Sequence, residues 1–170
     1  MFVVNNNIVE SLKVKLDNQF GSDVSSFEII KDIPTFTIAK NRIVELLRFL
    51  HKDNELQFRF LTTLCGMHFP DSEQPFGVVY HLHSFKNNLR VRIKSFTSGN
   101  NPEFPTATVV FRAANWMERE TYDFFGIKFS CHPNLKRILN MEDIDFFPMR
   151  KDYPLEDQTR EDKNDSMFGR

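Results

Sequence analysis

Ile8, Leu12, Leu16 and Phe20 recur at every fourth position and predict one apolar face of an opening helix that stops near Gly21. "SSFEIIKD" and "TFTIAK" then read as two short strands, with Phe36 and Ile38 on one side of the second. Asn41 is placed to cap the helix "RIVELLRFLHKD", in which Ile43, Leu46, Leu47 and Leu50 share a face. "FRFLTTLCGM" predicts a short further helix closed around Gly66. The strands "FGVVYHLHSF" and "LRVRIKSF" flank Lys86, Asn87 and Asn88, a hairpin signal. In the second of them Leu89, Val91 and Ile93 alternate with Arg90, Arg92 and Lys94, so one face is buried and the other wet. "TATVVF" predicts another strand, and helical periodicity resumes at Asn115.

Strands that arrive mostly as sequence neighbours imply an α+β fold, with a mostly antiparallel sheet covered by helices on one face. Apolar periodicity ends at Met141, which divides the chain into a folded domain, residues 1–140, and an extended C-terminal tail, residues 141–170. From Arg150 to Arg170, 11 of 21 residues are charged. Such a segment buries too little apolar surface to fold alone, and it reads as a strand of chain that orders on a partner.

Composition narrows the chemistry. Hydrophobic residues make up 41% of the chain and include 19 Phe, enough for a real core. The formal net charge of -1 supplies no field for nucleic acid or anionic lipid. No apolar run approaches the roughly 20 residues that span a bilayer. "MFVVNNNIVESL" lacks the basic start and apolar stretch of a signal peptide, so the expectation is a cytoplasmic chain or one whose presequence has been removed. The two cysteines, Cys65 and Cys131, are expected as buried thiols in a reducing compartment. An iron–sulfur cluster takes about four thiolates, so this chain alone supplies none. Its six glycines form neither a dinucleotide fingerprint nor a phosphate loop.

Two constellations invite sharper readings. Cys65 with His68 and Cys131 with His132 could be assembled into a zinc set, yet neither pair has the CxxC spacing of a strong signal. A cysteine beside a hydrogen-bonded histidine is the simpler account, and a small autonomous zinc protein is the less favoured alternative. The basic stripe of Arg90, Arg92 and Lys94 lies between Phe85 and Phe96 rather than among exposed central aromatics. It reads as a solvated face or a docking surface for an acidic protein, not as an RNA-stacking sheet.

The stretch "ERETYDFFGI", Glu118 to Ile127, is the densest in chemistry. Asn115 and Glu118 have capping-box spacing, Glu118 and Glu120 would sit in the first helical turn, and Gly126 falls at a left-handed helix end. Met117, Thr121 and Phe124 would form the apolar stripe, with Trp116, Glu120 and Asp123 on a flank and Arg119 reaching Asp123 one turn on. Acid–base catalysis by these carboxylates would need a reactive partner, and no Ser, Lys or His stands at a telling spacing. Followed by "HPNLKRIL" and "PMRKDYPLED", the helix reads as a contact surface or a brace for the tail.

The run from Ala114 to Leu139 resembles the signature of the C subunit of proton-pumping NADH–quinone oxidoreductase, respiratory complex I. Glu118, Arg119, Glu120, Asp123, Phe124, Phe125, His132, Lys136, Ile138 and Leu139 occupy the matching places, with the spacing intact over 22 residues. "RKDYPLE", Arg150 to Glu156, resembles the family's second hallmark. There are two departures. Met67-His68 stands where many relatives carry a small or apolar residue and Asp, and Phe146-Phe147 replaces a common acidic residue and Gly. The resemblance implies a non-catalytic scaffold subunit, peripheral on the cytoplasmic side of the bacterial inner membrane. It implies packing chiefly against the D subunit, which carries the quinone site, and beside the B subunit. The whole enzyme would couple electron transfer from NADH to quinone with proton translocation. Flavin mononucleotide, iron–sulfur clusters and quinone would belong to partner subunits, with no small-molecule substrate, catalytic residue or metal here. The implied partner-binding residues are Glu118, Arg119, Glu120, Asp123, His132, Lys136, Arg137, Arg150, Lys151, Asp152 and Tyr153. The same scaffold in a related membrane hydrogenase or another quinone-linked dehydrogenase is the nearest alternative.

Overall fold

The computed structural model describes residues 6–99 and 101–154. Helix α1, Asn6–Phe20, turns Val9, Leu12, Leu16 and Phe20 inward and ends at Gly21, whose φ of 49° starts a 3₁₀ turn. Strands β1, Val24–Ile30, and β2, Ile33–Ile38, pair antiparallel, and Phe36 and Ile38 enter the core. Helix α2, Ile43–Lys52, buries Ile43, Leu46, Leu47 and Leu50, the stripe expected from spacing. Its cap differs from expectation. A 3₁₀ turn, Lys40–Arg42, leads into the helix, and no side chain caps it, so Asn41 is not an N-cap.

Strands β3, Phe60–His68, β4, Phe76–Ser84, and β5, Leu89–Thr97, complete a five-stranded sheet of order β1-β2-β5-β4-β3. Every pairing is antiparallel except that of β2 with β5. Leu64, Tyr80, Leu82, Val91 and Ile93 face the helices in one hydrophobic core. The opposite face carries the half-exposed His81, Arg92 and Lys94.

The segment "FRFLTTLCGM" is strand β3 rather than a helix. Its pairing slips between Leu61 and Thr63, so Leu61 opposes Leu82 while Leu64 opposes Tyr80. The irregularity puts two inward residues three apart instead of two, which imitates helical spacing. "TATVVF" is likewise not a strand. Val110 and Phe111 N–H both donate to the carbonyl of Ala107, and the Ala107 N–H is taken by a carboxylate. Those donors cannot join a ladder. The strand in this region is β6, Glu103–Pro105, parallel to β7, Lys128–Ser130, in a separate two-stranded sheet.

Helix α3, Ala114–Phe125, lies against β3. Gly66 permits the approach, because a Cβ there would come within 2.6 Å of the Phe125 ring and 3.1 Å of Thr121 Cγ2. Among the described residues no helix is long and apolar enough to cross a membrane. Leu155 to Arg170, the remainder of the expected tail, lie outside the described residues.

Candidate functional site

The charged helix and the chain that follows it form one interlocked unit. Helix α3 begins at Ala114 with no side-chain cap, so the expected Asn115–Glu118 capping box is absent. Glu118 points inward with no exposure. Its Oε2 accepts from the Thr106 hydroxyl at 2.6 Å, and its Oε1 accepts from the Ala107 N–H at 2.6 Å. Burial pushes this carboxyl up to about 7, although both donors favour the charged form.

Asp123 has the opposite surroundings. Its Oδ2 accepts the successive N–H groups of Ile138, Leu139 and Asn140 at 3.0, 2.7 and 2.9 Å. Its Oδ1 accepts from Arg137 Nη1 at 2.9 Å and from Asn140 Nδ2 at 3.1 Å. Burial alone would raise the carboxyl, but these donors outweigh it and hold Asp123 well below the usual carboxylate range. Arg119 therefore does not pair with Asp123. It donates to the carbonyls of Lys136 and Arg137, both at 3.1 Å, and its guanidinium covers Trp116.

Arg137 extends the lock into the chain beyond residue 140. Its Nη2 donates to the carbonyls of Ile144 and Phe146 at 2.9 and 3.0 Å. Arg150 donates Nε–H to the Phe125 carbonyl at 2.7 Å, and the Met149 N–H bonds the Phe124 carbonyl. Phe147 lies between the Arg137 and Arg150 guanidinium groups and packs over Gly126. Gly126 has φ 70°, the left-handed helix end expected from sequence, and a Cβ there would strike Phe147 and Arg150. Residues 137–153 thus form a strap folded back on the C-terminal end of α3.

His132 donates Nε2–H to the Asn115 carbonyl while its Nδ1 accepts from the Asn134 N–H, which fixes a neutral tautomer. His68 Nδ1 accepts from the Lys151 N–H at 2.9 Å, and its ring stacks on Phe76. Asp152 Oδ1 stands 3.8 Å from the same nitrogen, and Tyr153 stacks on Phe146 at 4.5 Å. Both histidines are occupied in joining loops. Cys65 and Cys131 are exposed, not buried as expected, and among the described residues no three His, Cys, Asp or Glu converge as metal ligands.

Of the residues singled out in sequence, Glu118, Asp123, His132 and Arg137 turn their polar groups to their own chain. Glu120, Lys136, Lys151 and Asp152 remain exposed. Around them stand apolar side chains open to solvent: Trp116 on α3, and Leu139, Met141 and Met149 on the strap. Thr106, Ala107 and His68 escaped the sequence reading as partners, since Thr106 and Ala107 precede Glu118 by 12 and 11 residues and His68 precedes Lys151 by 83.

Residues 36–159 match the family described as "Respiratory-chain NADH dehydrogenase, 30 Kd subunit". The chain is 44% identical over 138 residues to a C subunit (the second of that name) of NADH-quinone oxidoreductase from Rhizobium etli, covering 81% of this chain and 73% of that protein. It is 41% identical over 155 residues to the C subunit of NADH-quinone oxidoreductase from a Roseiflexus species, covering 91% and 87%. A trypsin-resistant fragment of Nqo5 superposes with a TM-score of 0.60 at 26% identity, covering 78% of this chain and 100% of the fragment. A chain of a membrane-bound sulfane sulfur reductase, an archaeal respiratory membrane complex, superposes with a TM-score of 0.74, covering 88% and 86%. At 21% identity that likeness concerns the fold alone.

Proposed function

Because the chain belongs to the 30 kDa subunit family of the respiratory-chain NADH dehydrogenase, we propose that it is a non-catalytic scaffold of the peripheral arm of proton-translocating NADH–quinone oxidoreductase. The domain packs against the quinone-site D subunit and beside the B subunit, on the cytoplasmic side of the bacterial inner membrane. Flavin, clusters and quinone reside in the partners, and this chain holds their neighbours in fixed geometry. Small displacements of reacting groups are costly in rate, so a rigid non-catalytic subunit has work to do in a redox enzyme.

One observation carries this reading. Arg119 and Asp123 of α3, with Arg137, are spent inside the chain on fixing the strap, which leaves Trp116, Leu139, Met141 and Met149 presented on a braced surface. Apolar groups rimmed by Glu120, Lys136 and Lys151 suit a protein partner better than a small substrate. Isolation of the tagged chain from its native membrane tests the proposal. The D and B subunits in stoichiometric amount are expected, together with NADH–quinone activity. Recovery of hydrogenase or sulfur-reductase subunits in their place would move the same scaffold to another respiratory complex.

A further inference from the structure

Among the described residues, Glu118 and Asp123 are the acidic side chains with no exposure, and they differ in what surrounds them. Asp123 has five donors, one of them a guanidinium. Glu118 has two, and neither carries charge. The groups facing it from the packed elements do not compensate. Tyr80 of β4 places a fully buried hydroxyl in the same interior with no hydrogen-bond partner. His132 Nε2 stands 3.9 Å from Oε2 but is neutral and bonded to Asn115. Arg119, next along α3, turns away to the Lys136 and Arg137 carbonyls. Burial and then the charge of Glu120, not that of Glu118, push the Cys65 thiol of β3 up.

A path leads outward from this carboxyl. Thr106 Oγ1 touches Glu118 Oε2 at 2.6 Å on one side and Thr108 Oγ1 at 2.8 Å on the other. Thr106 is buried and Thr108 is half-exposed, so the three oxygens run from the interior to the surface. Thr106 Oγ1 also accepts the Thr108 N–H at 3.2 Å. We infer that Glu118 is a reversible proton-binding site, exchanging one proton with solvent along the hydroxyls of Thr106 and Thr108.

The steps balance. With Glu118 ionised, Thr108 Oγ1–H donates to Thr106, and Thr106 Oγ1–H donates to the carboxylate. A proton arriving at Thr108 Oγ1 displaces that hydroxyl's own proton to Thr106 Oγ1. The proton of Thr106 then passes to Glu118 Oε2. One O–H bond forms and one breaks at each threonine, and the carboxylate charge is neutralised. Afterwards Glu118 donates to Thr106, Thr106 donates to Thr108, and Thr108 donates outward. Thr106 keeps its main-chain donor in both states, so neither direction leaves a buried oxygen unsatisfied. Burial that raises Glu118 to about 7 makes both states accessible in ordinary conditions. The half-exposed Thr108 ends the relay, so proton occupancy inside the domain is read out as the direction of its hydroxyl at the surface.

Infrared titration of the full chain between about pH 5 and about pH 9 tests this by following the carbonyl stretch of a protonated carboxyl. The expected result is one band that disappears with a midpoint near neutral pH and is missing in Glu118→Gln. Thr106→Val removes a donor to the ionised form, so the midpoint moves upward. Thr108→Ala keeps the midpoint within a few tenths but slows deuterium exchange at the carboxyl several-fold. No such band in wild type, or a band that persists in Glu118→Gln, overturns the site. Unchanged exchange in Thr108→Ala overturns the relay. Should Glu118→Gln fail to fold, a midpoint that stays put in Thr106→Val overturns the site equally.

Discussion

Arg137 Nη1 lies 2.9 Å from Asp123 Oδ1, and the same guanidinium holds the carbonyls of Ile144 and Phe146. One arginine thus joins the helix to the strap through a pair in which Asp123 has no exposure. Removing one member of a buried ion pair leaves an unpaired charge, at a cost of about 3–5 kcal/mol. Asp123→Asn is expected to fall in that range by urea unfolding. Because the folded Asp123 titrates below its ordinary 3.8, its contribution is present above that value and lost as pH falls through the depressed one. The difference between wild type and Asp123→Asn should therefore shrink only on the acid side of 3.8. A difference that stays constant down to about pH 2 would detach Asp123 from the lock.

Gly126→Ala meets two penalties at once. The left-handed φ of 70° disfavours any Cβ by about 1–2 kcal/mol, and the methyl would overlap Phe147 and Arg150. Both clashes fall on strap side chains, Phe147 and Arg150, so the strap should lift while the domain stays folded. Limited proteolysis is expected to cut near Met149 and Arg150 much faster in the variant, with an unchanged far-ultraviolet dichroism spectrum. Equal cutting rates would mean that the Phe147 contact does not hold the strap.

How far the sequence foretold this depends on the range of each signal. The stripes of α1 and α2, the β4–β5 alternation and Gly126 are local regularities, and each was legible. Strand β3 was misread because the slip beside Thr63 respaced Leu61 and Leu64 to mimic a helix. "TATVVF" was misread because its main-chain donors go to a local turn and to Glu118, 11 residues on from Ala107. Glu118 itself looked like a helix cap since capping and burial use the same residue at the same spacing. Only the position of Thr106 separates them, and no local pattern encodes it. The two departures from the family pattern became legible afterwards: His68 and Phe146-Phe147 all bear on the strap.

Glu118→Gln should alter stability in a direction opposite to Asp123→Asn. The unfolded carboxyl titrates near 4.5 and the folded one at about 7, so the native state binds the extra proton between them. That contribution is fully present below 4.5, declines as pH rises to about 7, and is level above it. Glutamine imitates the protonated form at every pH. Relative to wild type, the variant should therefore gain on the order of 3 kcal/mol between about pH 4 and about pH 8. Paired denaturation curves at several pH values measure it. A flat difference would mean that Glu118 titrates alike in both states.

Arg119 separates fold from assembly. It is half-exposed, and its two bonds to the Lys136 and Arg137 carbonyls sit at the edge of the strap. Loss of such bonds costs about 1–3 kcal/mol, so Arg119→Glu should keep the isolated domain folded with a lowered melting temperature. The charge reversal also uncovers the face of Trp116 and repels the carbonyls that orient Leu139, both part of the proposed partner surface. Recovery of partner subunits with the tagged variant is expected to drop at least tenfold. Trp116→Ala supplies the contrast, because an exposed side chain contributes little to the domain and much to a buried contact. It should lower recovery without changing the melting temperature. If both variants assemble as wild type does, the helix–strap face is a brace only, and the partner sits elsewhere on the domain.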